Sequence, residues 1–173
     1  TTKGIVDRAI VRVVTAGTIT EEDELDSRAS NYLAALILDG GRAGLAWIDL
    51  STGRAAACDV ALDRVMDELA RVAPAELLVP EDLPRTAPEL AEQLQLDLAQ
   101  RITWREPWRF ARDTCRRVLN EQFKVKTLEG FGCDDEARGI CAAGAAVEYA
   151  LETQRGSCEH LLRLERVDTG QHL

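Results

Sequence analysis

Apolar positions fall into short runs early in the chain and into helical stripes later. From Ile5 to Val14 the chain is rich in Val and Ile with Asp7, Arg8 and Arg12 interspersed, which predicts a short strand running into the turn Thr15-Ala16-Gly17-Thr18. The acidic stretch Glu21 to Asp26 separates this arm from the next apolar run and places a boundary near Thr18 to Ser27. Tyr32 to Leu38, closed by Asp39-Gly40-Gly41, and Leu45 to Leu50, closed by Ser51-Thr52-Gly53, read as strands, and Arg54 to Val60 reads as a third. Joined by tight turns, the three form a meander.

The period then changes. Leu62, Val65, Met66 and Leu69 recur at helical spacing, and Pro74 ends that helix before a brief strand, Leu77 to Val79, bounded by Pro80. Thr86 and Glu89 form a capping box with Pro88 in the first turn, opening a helix that buries Leu90, Leu94 and Leu98. Ile102 and Trp104 alternate as a fifth strand does. Pro107 starts another helix, with Trp108, Ala111, Cys115, Val118, Leu119 and Phe123 on one side. The order is three strands, helix, strand, helix, strand, then helices. It predicts an α/β fold: a ribonuclease-H-like mixed five-stranded sheet flanked by helices.

The segment Gly130 to Arg155 supplies the final helix. Asp134, Asp135 and Glu136 place negative charge where a helix N-terminus favours it. Ile140, Ala143, Gly144, Val147 and Leu151 recur on one side, and Glu148, Glu152 and Arg155 occupy another. A glycine inside a helix costs roughly 1 kcal/mol relative to alanine. Gly144, among Cys141, Ala142, Ala143 and Ala145, therefore predicts close approach of another backbone.

Composition narrows the functions open to such a domain. The 173 residues, 46% of them apolar, suit one domain with a real core. A formal charge of -9 argues against a duplex-binding surface made by this polypeptide alone, because phosphate recognition depends on dense Lys and Arg. Five cysteines, Cys58, Cys115, Cys133, Cys141 and Cys158, form an odd count without a C-x-x-C pair, which fits reduced thiols in a cytoplasmic protein. No run approaches the roughly 20 apolar residues that span a bilayer, and the chain reads as soluble. It starts at Thr1 and ends in a polar run, which reads as a piece of a longer protein.

Few residues have the spacing that catalysis needs. Asp49, near the end of the second strand, stands where a ribonuclease-H-like nuclease holds a metal, and a nuclease or phosphoryl-transfer enzyme centred on it is the alternative reading. Two-metal chemistry needs several converging carboxylates, with Glu81, Asp82, Asp134 and Asp135 as ambiguous partners. Asp49 before Ser51-Thr52-Gly53 is also a good side-chain-capped turn, and that is the favoured reading. His160 and His172 have no ligand set beyond Cys158, and no G-x-S-x-G or G-x-x-x-x-G-K-[ST] is present. Gly40-Gly41-Arg42-Ala43-Gly44 reads as a hairpin loop. Arg109, Arg112, Arg116 and Arg117 lie opposite the apolar stripe of the helix predicted from Pro107, with Asp113 among them and Arg105 just before. They form either a solvated helix face or a surface that pairs with carboxylates or phosphates of a partner.

Several separated pieces, in order, resemble the connector domain (domain II) of the MutS DNA mismatch-repair proteins. These are Arg12-Val13-Val14-Thr15-Ala16-Gly17-Thr18, with Ala16 where proline is usual; Ile48-Asp49-Leu50-Ser51-Thr52-Gly53; Glu68-Leu69; and Pro74-Ala75-Glu76-Leu77-Leu78. Gly130-Phe131-Gly132, Ala142-Ala143-Gly144-Ala145, Tyr149 and Thr153-Gln154 complete the series. The resemblance covers about residues 8 to 160 and implies a ribonuclease-H-like domain without nuclease activity. It divides the chain into an arm leaving the mismatch-binding domain (1–18), the connector (19–160) and the start of the segment leading to the lever (161–173). It implies no catalytic residue, metal or cofactor in this piece, with ATP and Mg bound by the parent. The implied partners are MutL, mismatched duplex DNA held through other domains, and a second copy in a homodimeric parent, with no membrane. The mismatch-reading Phe-x-Glu is absent: two residues after Phe110, Phe123 and Phe131 stand Arg112, Val125 and Cys133. For the docking face the residues singled out are Arg109, Arg112, Arg116 and Arg117.

Overall fold

The computed structural model describes residues 32–49, 51, 54–123, 138–153 and 163–166. The expected arm, the acidic stretch, Gly130 to Glu136, His160, His172, Cys133 and Cys158 lie outside them.

Three strands, β1 (Tyr32–Asp39), β2 (Arg42–Asp49) and β3 (Arg54–Ala61), form the expected antiparallel meander. Gly40 and Gly41 make the first hairpin with φ of 64° and 79°, so that Asp39 pairs directly with Arg42 across a two-residue loop. Two consecutive positive φ values define the primed turn whose twist suits a hairpin. The hairpin loop is thus shorter than the sequence suggested, since Arg42, Ala43 and Gly44 already belong to β2. At the second turn Asp49 Oδ1 accepts from Ser51 N at 3.0 Å and from Ser51 Oγ at 2.6 Å, the side-chain-capped turn expected there.

A 3₁₀ turn, Leu62–Arg64, leads into α1 (Val65–Val72), which ends at Ala73 in the left-handed conformation. Strand β4 (Glu76–Pro80) follows and pairs parallel with β1. Next come α2 (Leu83–Thr86), α3 (Pro88–Leu98) and β5 (Ile102–Arg105), which pairs parallel with β4. The capping box does not form. Thr86 closes α2, where its hydroxyl lies 3.4 Å from Leu83 O, and Ala87 stands before α3 without a side-chain cap.

The strand order is β5-β4-β1-β2-β3-β6, and within the first five only β2 runs against the rest. That is the mixed ribonuclease-H-like sheet anticipated from the element order. A sixth strand, β6 (Arg163–Arg166), extends it parallel to β3, in the segment read as leaving the domain.

Strand periodicity divides the core into two faces. On one, Ala34, Leu36, Ala43, Leu45, Val60, Leu77 and Val79 meet the large aliphatic residues of α1 and α3, including Val65, Leu69, Leu90 and Leu94. On the other, Leu33, Ala35, Ala46, Ile48, Ala55, Ala57 and Leu78 meet the alanine-rich α5 (Arg138–Thr153). Helix α4 (Arg112–Phe123) packs on α5. Because α5 lies between the sheet and α4, its burial runs almost all the way round from Gly139 to Val147 rather than along one stripe.

Candidate functional site

The helix expected from Pro107 is two elements. Pro107–Phe110 is a 3₁₀ turn, Ala111 is extended, and α4 begins only at Arg112, with Cys115 N donating to Ala111 O at 2.9 Å. This break corrects the predicted apolar side. Phe110 turns inward with Cys115 and Leu119, whereas Ala111 is exposed and Trp108 is 55% exposed. A single α-helical period drawn through Pro107 to Phe123 cannot anticipate the rotation that the 3₁₀ turn introduces.

The break also separates the four arginines. Arg109 leaves the group: its Nε lies 2.6 Å from Glu106 Oε1, its Nη1 lies 3.1 Å from Glu148 Oε1 of α5, and its side chain is only 18% exposed. Its guanidinium also stacks 4.5 Å from the Trp108 ring centroid, a cation–π contact. The hydrogen bond from Arg109 holds Glu106 below the usual carboxylate range, and the same bond raises Arg109 above its ordinary value. Arg105, at the end of β5, joins this network at 2.9 Å from Glu152 and 3.8 Å from Glu148, and lies 4.9 Å from the Tyr149 ring centroid. Two of the acidic partners, Glu148 and Glu152, come from α5, whereas Glu106, three residues before Arg109, was a local signal of the pairing.

Arg112, Arg116 and Arg117 remain on α4. Arg116 and Arg117 line a shallow hollow of about 460 Å³ with Asp113, Asn120 and Glu121, and Arg116 pairs with Asp113 at 3.2 Å. Arg112 and Asp113 instead edge a larger cavity of about 570 Å³. That cavity opens at the carboxyl ends of β1 and β4, where open α/β sheets commonly take ligands. Its walls include Ile37, Leu83 and Phe110, with Arg138 and Cys141 from the first turn of α5.

The start of α5 is fixed on the sheet. Gly139 N donates to Asp59 Oδ1 at 2.9 Å, placing a carboxylate at the helix N-terminus, and Arg138 Nε donates to Asp39 O at 2.6 Å. A methyl group on Gly44 of β2 would overlap the backbone of Arg138, so sheet and helix touch main chain to main chain. One turn further along, a methyl group on Gly144 would overlap the Cα and Cβ of Cys115 and lie 2.8 Å from its carbonyl oxygen. The close approach anticipated at Gly144 is therefore made by α4. Toward the other end of α5, Tyr149 Oη donates to the buried Glu76 carboxylate at 2.7 Å, which also accepts from Thr103 Oγ1 at 2.7 Å. This bond joins two of the separated pieces singled out in the sequence.

Sheet order and the deeply seated helix α5 define the class: a ribonuclease-H-like α/β domain in which α5 is locked between the sheet and α4. Among the described residues no group of three or more His, Cys, Asp and Glu is placed to hold a metal ion, and no helix is long and apolar enough to cross a membrane. The family model for MutS domain II matches residues 31–162, and the chain belongs to that family, the connector domain of MutS-type DNA mismatch-repair proteins.

Proposed function

We propose that this chain is the non-catalytic link of a MutS-type parent, moving as one body between the mismatch-binding and ATPase regions and offering MutL a docking face. The observation that carries this reading is the seating of α5, whose backbone touches β2 at Gly44 and α4 at Gly144 while Tyr149 is tied to Glu76 beneath it. Sliding α5 would break backbone contacts and take a donor from a buried carboxylate, so motion imposed at one edge passes through the domain as rotation of the whole. In this reading residues 1–18 arrive from the mismatch-binding domain, 19–160 are the connector and 161–173 lead toward the lever. ATP and Mg act in the parent, as do mismatched DNA binding and homodimerisation.

The docking face centres on α4. Arg112, Arg116 and Arg117 line its outward hollows, and Trp108 adds an exposed aromatic side chain of the kind that anchors interfaces. Arg109 belongs to this face as the residue that positions Trp108, through its stacking contact. Asp49 supports the non-catalytic reading, since one of its carboxylate oxygens is already used by Ser51.

The test uses the full-length parent with Arg112→Glu and Arg116→Glu together. Mismatch- and ATP-dependent capture of MutL should fall by about tenfold or more, as loss of charge-assisted contacts implies, while mismatch affinity stays unchanged. Unaltered MutL capture would remove α4 as the docking face.

A further inference from the structure

We propose that Cys141 and Cys115 form a peroxide-sensitive thiol pair, with Cys141 the reacting thiol at the cavity wall and Cys115 the resolving thiol behind it. This site is independent of the mismatch-repair reading. The two residues meet across the α4–α5 contact, where the Cys115 thiol donates to Cys141 O at 2.8 Å. The seating of Cys115 on Gly144, three residues along from Cys141, keeps the helices close at this point. Cys141 is only 7% exposed, but it lines the 570 Å³ cavity beside Arg112 and Arg138, which is the path a small oxidant would take to it.

The electrostatics agree with these roles. Pairing with the Cys115 thiol, aided by the nearby Arg112 guanidinium, lowers the Cys141 thiol below its ordinary value, while the same pairing and burial raise Cys115. Cys58, on the opposite face of the sheet and buried as Cys141 is, provides the electrostatic contrast: burial pushes its thiol up to about 12.

The Cys141 thiolate attacks one oxygen of hydrogen peroxide, forming S–O and breaking O–O, and the departing hydroxide takes up the proton Cys141 released, leaving as water. The Cys115 sulfur then attacks the sulfur of the resulting sulfenic acid. S–S forms, S–O breaks, and the hydroxyl leaves as a second water with the proton of Cys115. The two sulfurs lose two electrons in total, and the peroxide gains them.

The experiment treats the full chain with graded hydrogen peroxide under native conditions, followed by alkylation and peptide mapping. In the unsubstituted chain a Cys115–Cys141 disulfide should form with loss of two hydrogen atoms, with Cys141 consumed about tenfold or more faster than Cys58. In Cys115→Ser, Cys141 should stop at the sulfenic acid and be captured by dimedone. In Cys141→Ser, Cys115 should stay reduced. Equal rates for Cys141 and Cys58, or a disulfide joining Cys141 to Cys133 or Cys158 in place of Cys115, would overturn the assignment. The mapping of the unsubstituted chain decides the matter even if a variant fails to fold.

Discussion

The two faces of the sheet are filled in opposite ways. Against α1 and α3 the space is taken up by leucines and valines projecting from helices that keep an exposed side. Against α5 it is closed by bringing main chain to main chain, with glycine and alanine at the contacts and hydrogen-bonded polar groups at the ends of the helix. Side-chain packing of the first kind tolerates repacking when volume is conserved, whereas a backbone contact has no rotamer to adjust. The difference marks where substitutions can be absorbed by repacking and where they cannot, and it puts α5 in the second group.

Adding volume to one face and removing it from the other should separate the two modes. Gly144→Leu forces its side chain into the backbone of Cys115 and should cost about 3 kcal/mol or more, read as a lower urea midpoint and thermal midpoint. Leu94→Ala on the α3 side should cost about 2–4 kcal/mol by leaving a cavity. An unchanged thermal midpoint for Gly144→Leu would mean that α5 is not seated as described.

A smaller effect isolates the polar tie beneath α5. Tyr149→Phe keeps the ring and removes one donor to the buried Glu76 carboxylate, which also accepts from Thr103. The expected loss is about 1–3 kcal/mol in denaturant unfolding, because a buried carboxylate loses one of its donors. No loss would place the rigidity of this face in apolar packing alone. The smallest effect is expected at Asp49→Asn, away from both faces, where the amide oxygen still serves Ser51 and stability should shift by no more than about 1 kcal/mol. With Mg²⁺ or Mn²⁺ and labelled nucleic acid, neither the original chain nor this variant should cleave; cleavage lost on substitution would restore the nuclease reading.

The leucine-lined face was largely legible in the sequence, and the α5 face was legible only in part. Strand alternation, the Gly40-Gly41 turn and the Asp49 turn are local, and so are the stripes of α1 and α3. A helix buried on nearly all sides has no stripe, so Ile140, Ala143, Gly144, Val147 and Leu151 outlined only one side of α5, the side on which Gly144 meets α4, and left out Ala142, Ala146 and Tyr149. Its small residues were the better sign of its place. The Tyr149–Glu76 bond spans 73 positions and follows from no local period. Strand β6, Arg163-Leu164-Glu165-Arg166, is too charged to read as an apolar run, yet an edge strand needs only a free row of backbone groups to join. Among the arginines, similar sequence settings conceal different fates, because Arg109 is claimed by Glu148 of a helix far along the chain while Arg116 pairs within α4.

The central claim, that α5 and the sheet behave as one rigid unit, is tested most directly by native-state amide hydrogen exchange at low denaturant. Amides of Ile140 to Ala150 should exchange with the same opening free energy and the same denaturant dependence as those of β1 and β2, as a single cooperative unit requires. Exchange of α5 through a smaller opening, while the strands remain protected, would contradict it.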